Sequence, residues 1–216
     1  MSEVSVAVLE PCLREQAASA QAALNRGRTE LALELCVAVL SAQPGCLAVR
    51  RLERAARLKH FATRRDTVSQ LVTAVSSAPL LLDANVQLRE DPRAALLTAE
   101  RLLRRDPQNL AALCLLGQAA TALGWKETAI FAHETASDLA PERPDLWLSL
   151  GVAYLAAGRA KDAISAAEEA LRLHPADGEA QTVLRNATVS LGIAQGRWDR
   201  GRDQLGRLDD RTKTAG

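Results

Sequence analysis

Three histidines, four cysteines, a pair of adjacent glutamates and one arginine-rich run are the residues whose chemistry could exceed holding a fold together. Metal binding and nucleophilic catalysis need such groups to converge, and their spacing here does not bring them together. His60, His133 and His174 are scattered. His133 falls at a helix-packing position and His174 immediately before a proline, so packing or capping is the better reading than ligand or base. Cys12, Cys36, Cys46 and Cys114 form no CxxC pair and no zinc-type spacing. Cys36 lies on an apolar helical face, where a free buried thiol is expected, and the set suits a reducing compartment. Glu168 and Glu169 are adjacent, so on a helix they point in different directions and read as solvated surface rather than a paired acid and base. Gly117 and Gly124 follow no strand, which excludes a phosphate-cradling loop, and no G-x-S-x-G, H-E-x-x-H or Walker pattern occurs. The chain is expected to be no enzyme and to need neither metal nor cofactor.

The strongest charge feature is "RRLERAARLKHFATRR", residues 50–65, where Arg50, Arg51, Arg54, Arg57, Lys59, Arg64 and Arg65 stand against Glu53 alone. As a functional patch it would contact an acidic protein or nucleic-acid phosphate. The competing and better reading has the arginine stems covering an irregular part of the fold with their heads in water. No aromatic stacking platform interleaves the charges, which disfavours single-strand binding. The formal net charge of +1 supplies no global field towards nucleic acid or an anionic membrane.

The elements that must position these groups are helices. Residues 145–157 and 160–173 each place apolar side chains at three- and four-residue spacing. Gly158 between them suits a left-handed helix end, and Pro175 stops the second helix. The preceding segment repeats this layout 34 residues earlier: Leu116, Gly117, Gly124, Ala129, Ile130, Ala136 and Pro141 align with Leu150, Gly151, Gly158, Ala163, Ile164, Ala170 and Pro175. A glycine inside a helix costs about 1 kcal/mol relative to alanine, so Gly151 is expected to make room for a closely packed partner helix. Extended backwards, the period gives a degenerate unit at 76–109, with Pro92 in a helical first turn, and a clear one at 13–46. Residues 47–77 form a shortened, irregular repeat. Residues 178–192 read as a capping helix, and 193–216 as a polar tail, frayed or disordered.

The pattern W-x-x-L-G-x-x-Y followed by A, A and P, carried by Trp147, Leu150, Gly151, Tyr154, Ala163, Ala170 and Pro175, resembles the tetratricopeptide repeat. The family's usual aromatic between the two alanines is replaced by Ala167 in one unit and His133 in the other. The resemblance implies an all-α fold, a right-handed α-solenoid of stacked antiparallel helix pairs over residues 1–192. It also implies a concave surface, lined by the first helix of each pair, that holds a peptide or helix of a partner. The matching positions are Leu80, Ala84, Gln87 and Leu88; Cys114, Leu115, Gln118 and Thr121; Asp145, Leu148, Val152 and Leu155; and, in the first unit, Arg14, Ala17, Gln21 and Asn25. Family members that clamp the carboxylate of chaperone tails present Lys, Arg and Asn there. Here Ala17, Cys114, Leu148, Gln21, Gln118 and Val152 occupy those places.

The expected function is therefore a non-catalytic scaffold whose groove takes an apolar peptide or amphipathic helix of a protein partner. The runner-up is a regulatory module acting through residues 50–65. A third reading has the groove residues packing against the chain's own terminal segments or a second copy. The start lacks a basic leader and carries acids within its short apolar run. No window approaches the roughly 18 apolar residues of a membrane span. A cytoplasmic protein without membrane contact is expected.

Overall fold

Short polar side chains start several of the helices. In the computed structural model, which describes residues 3–63 and 87–213 and leaves aside the side chains of 63 and 197–213, Asp91 accepts from the amides of Arg93 and Ala94 to open α4, Pro92–Arg105. Asn109 accepts from Ala112 at 2.9 Å to open α5, Leu110–Ala122. Asp177 accepts from Glu179 and Ala180 at the start of α9, Gly178–Lys213. Each such cap satisfies amides that a helix start leaves without an intrahelical partner.

The ends are equally local. Gly27, Gly124 and Gly158 have φ of 76°, 73° and 79°. The amide after each glycine returns to a carbonyl five residues back, Arg28 to Ala23, Trp125 to Ala120 and Arg159 to Tyr154, at 2.8–2.9 Å. This left-handed closure ends α1 (Pro11–Asn25), α5 and α7 (Pro144–Ala156) and turns the chain into α2 (Thr29–Ala42), α6 (Lys126–Leu139) and α8 (Ala160–Leu173). The remaining helix, α3, spans Leu47–Thr63. No strand occurs among the described residues. The fold class is all-α, a helical repeat of antiparallel pairs.

Two compact units divide the chain, residues 1–139 and 140–216. Within the first, α1 packs on α2, α2 on α3, α4 on α5 and α5 on α6. Its core beneath α1–α3 joins Leu9, Ala17, Ala20, Cys36, Val39, Leu40, Cys46 and Val49. Within the second, α7, α8 and α9 all pack on one another. Alanines fill these contacts: Ala163, Ala167, Ala170, Ala180 and Ala187 are wholly buried. The expected second half of the irregular repeat and the first helix of 76–109 as far as residue 86 lie outside the described residues. The last helix runs through Gly192 and Gly196 to Lys213, past the point where its apolar pattern fades.

The two matched glycines make room for different things. At Gly151 an added methyl would lie 3.3 Å from Val183, 3.6 Å from the Ala163 carbonyl and 3.7 Å from Ala166, a close approach of α7 to α8 and α9. At Gly117 it would lie 2.6 and 2.8 Å from two carbons of the His133 ring and closer still to Nε2. Gly117 accommodates an imidazole rather than a neighbouring backbone.

Candidate functional site

In α7 the positions at helical spacing separate into two faces. Leu146, Leu150, Gly151 and Ala153 are buried. Leu148 and Leu155 are half-buried, and Val152 between them is 46% exposed. Leu148, Val152 and Leu155 stand at i, i+4 and i+7, so they form one apolar row along the helix. Asp145 heads the row, exposed and paired with Arg143 at 2.6 Å. Trp147 is fixed beside it by a 2.8 Å bond from its indole N–H to the Pro141 carbonyl. The Tyr154 ring carries the Arg159 guanidinium 4.7 Å from its centroid.

The corresponding positions in the first unit behave less uniformly. Gln118 and Thr121 on α5 are exposed and Cys114 is half-buried. Thr121 donates to the Gly117 carbonyl at 2.9 Å. Leu115, expected in the exposed row, is only 2% exposed and belongs to the packing. Its apolar side chain is taken into the core where its register position alone suggested solvent. Ala17 is likewise 6% exposed, while Gln21 and Asn25 bond each other across one helical turn. Arg14 donates to the carbonyls of Ala7 and Leu9, so residues before α1 lie against that position. Gln87 and Leu88 are half-buried, and Leu80 and Ala84 lie outside the described residues.

The arginine run departs most from expectation. Arg50 is 3% exposed, ion-paired with Glu100 and donating to the Pro44 carbonyl at 2.7 Å. Arg54 donates to the Pro107 carbonyl at 2.7 Å. Burial lowers the Arg54 pKa from its usual range, a shift opposed by the charge of Asp138. Arg57 pairs with Glu53 one turn away, and both are largely enclosed. These guanidinium heads do not stay in water: they line a small cleft with Leu103, Leu113, Leu116 and Phe131. The reason is that the charged face of α3 meets the Glu100 carboxylate on α4 and the Pro107 carbonyl between α4 and α5. Arg51, exposed, lies 5.5 Å over the Phe131 ring, and Lys59 is exposed. Arg64 and Arg65 lie outside the described residues.

Among the described residues, the cysteines, histidines and the Glu168–Glu169 pair do not converge on one site. Cys36 and Cys46 are buried, Cys114 is half-buried and Cys12 exposed, and none is in a disulfide. Burial, reinforced by the Glu53 charge, pushes the Cys36 thiol up to about 12. His133 is buried, and desolvation pulls it down to about 4, so its ring is neutral. Glu169 is a surface partner of Arg172, whose hydrogen bond holds its carboxyl below the usual range. Among the described residues no group of His, Cys, Asp and Glu is placed to hold a metal, and no helix is long and apolar enough to cross a membrane.

One contact had no signal in the helical period. Glu3 accepts from the amides of Glu127 at 3.1 Å and Thr128 at 2.6 Å, more than a hundred residues away. The residue entering α6 is Trp125, which has no oxygen with which to cap.

Comparison with known proteins finds the same kind of repeat. Family models of the tetratricopeptide repeat match residues 144–184 and 88–136. The tetratricopeptide repeat domain of Sgt2 from Aspergillus fumigatus is similar at a TM-score of 0.53 and 22% identity, over 56% of this chain and 82% of that one. The first such domain of Spaghetti (RPAP3), bound to the HSP90 peptide SRMEEVD, is similar at a TM-score of 0.51 and 20% identity, over 54% of this chain and 93% of that one. The MamA protein is similar at a TM-score of 0.50 and 18% identity, over 93% of this chain and 94% of that one. No curated protein sequence matches the chain. With its glycine-ended helix pairs and its two matched segments, this chain carries tetratricopeptide repeats over residues 88–136 and 144–184 and shares the helical-repeat fold of these proteins.

Proposed function

We propose that the chain is a non-catalytic protein-interaction module, and that α7 binds an apolar peptide or the apolar face of a partner helix. The observation that carries this reading is the row Leu148, Val152 and Leu155. It leaves large aliphatic groups in or near water on a rigid helix whose opposite face is fully packed. Exposing such a row costs solvation free energy, about 25 cal/mol per Å² of apolar surface, which a partner would recover. The peptide carried by the similar Spaghetti (RPAP3) domain supports a peptide-type ligand in general. The ligand itself should differ, because Leu148 and Val152 stand where carboxylate-clamping members carry cations or amides. The arginine run is the weaker alternative, since Arg50, Arg54 and Arg57 already have partners inside the first unit.

The test is capture from a native extract by the full chain and by a Leu148→Asp/Val152→Asp variant, with a photo-crosslinker at 155 or, as control, at Lys161. The variant should keep its circular dichroism and lose the captured protein, and only the crosslinker at 155 should mark it. Synthetic SRMEEVD should not bind either chain. Capture undiminished by the two aspartates would move the site off α7.

A further inference from the structure

We propose that residues 3–9 are an exchangeable ligand of the first unit, held in cis, and that the seat they fill recognises an extended acidic–Val–x–Val peptide. This goes beyond the α7 reading, since it assigns a second recognition surface in a different unit.

The segment is held by discrete anchors. Glu3 places its carboxylate on two amides in the first turn of α6. That turn has a positive electrostatic end and amides without helical partners, so an anion is favoured there. Thr128, in the same turn, is wholly buried and its hydroxyl has no hydrogen-bond partner, so the turn can engage a further polar group. One residue on, the Val4 amide donates to the Gly45 carbonyl at 3.1 Å. Val4 and Val6 pack against the core of α1–α3, and Leu9 is buried in it. Arg14 clasps the carbonyls of Ala7 and Leu9 at 3.0 Å.

Between these anchors the segment has little of its own. Its only regular structure is one 3-10 turn, Val6–Val8, with no buried residue. Ser5 and Ala7 are exposed, and Val8 is 73% exposed. A backbone with so few buried contacts opens more readily than the helices it crosses. Val4 and Val6 face inward while Ser5 and Ala7 face outward, with Glu3 anchored next to Val4, and this is how a bound peptide is read at alternate side chains. When it leaves, it uncovers an anion seat at α6 and an apolar seat on α1–α3, set apart by one extended step. A second peptide of that pattern would meet the same groups, with the covalent tether giving the cis segment its advantage through effective concentration.

The experiment uses the full chain. A variant with Glu3→Arg, Val4→Ser and Val6→Ser should lose the cis contacts, and a fluorescent peptide spanning residues 3–10 should bind it. The peptide should bind the unmodified chain at least tenfold more weakly, because its seat is filled. A peptide carrying Glu3→Gln should bind the variant at least tenfold more weakly than the parent peptide, as loss of charge-assisted hydrogen bonds requires. Hydrogen exchange provides the second measurement: Glu3→Gln in the full chain should speed exchange at Glu127 and Thr128 at least tenfold and leave the first turn of α8 unchanged. Failure of the peptide to bind a folded variant, or equal binding to both chains, would overturn the proposal. Unchanged exchange at Glu127 and Thr128 would overturn it as well, even if the triple variant did not fold.

Discussion

Replacing Gly117 by alanine is the sharpest test of how this repeat packs. The new methyl would lie 2.6 Å from His133 Cε1 and 2.8 Å from Cδ2, so the whole ring would have to move. The ring is 4% exposed, which leaves it little room to do so. Overpacking of this kind costs about 1–3 kcal/mol, while replacing a helical glycine gains about 1 kcal/mol. At Gly151 the nearest atom is a valine methyl at 3.3 Å, a neighbour that needs to yield only slightly. Gly151→Ala should therefore fall between neutral and about 1 kcal/mol stabilising. Gly117→Ala should be worse than Gly151→Ala by about 1–3 kcal/mol. The decisive arm is the His133→Ala background, where the ring is gone and Gly117→Ala should become stabilising by about 1 kcal/mol. Urea unfolding by helix ellipticity measures the differences, and amide exchange read separately in the two units assigns each to its own unit. If Gly117→Ala has the same effect with and without the His133 ring, the imidazole is not what the glycine accommodates.

Three further outcomes follow from buried groups. His133 has a folded-state pKa of about 4 against an ordinary 6.5, so the unfolded chain binds more protons between those values. Its contribution is complete above pH 6.5, is lost as pH falls to about 4, and amounts to about 3 kcal/mol at most; the stability difference between the unmodified chain and His133→Leu should shrink across that window and stay flat above it. Arg50→Met should cost about 3–5 kcal/mol by stranding the Glu100 carboxylate, and Arg50→Met/Glu100→Leu should cost less than Arg50→Met alone. Thiol labelling of the native chain should modify Cys12 readily and spare Cys36 and Cys46, which should react only on unfolding.

Much of the local architecture was determined by sequence alone. The closures at Gly124 and Gly158, the Pro92 helix start and the burial of Cys36 rest on residues within a few positions of one another, and the 34-residue register is the recurrence of such local patterns. Helical periodicity and turn chemistry are local, so they are legible without coordinates. The row Leu148, Val152 and Leu155 was legible for the same reason, as one face of one helix. The tertiary structure decided what meets that periodicity from outside. Arg50 finds Glu100 across 50 positions, Arg54 finds the Pro107 carbonyl across 53, and Glu3 finds Thr128 across 125. Arginine on a helix face reads as solvated until a carboxylate and a carbonyl are seen opposite it. Leu115 and Gly117 make the same point: their positions on α5 were known, but packing decided that one is enclosed and the other faces a histidine ring. A polar group's fate depends on its partner, and the identity of a distant partner is a property of the folded chain.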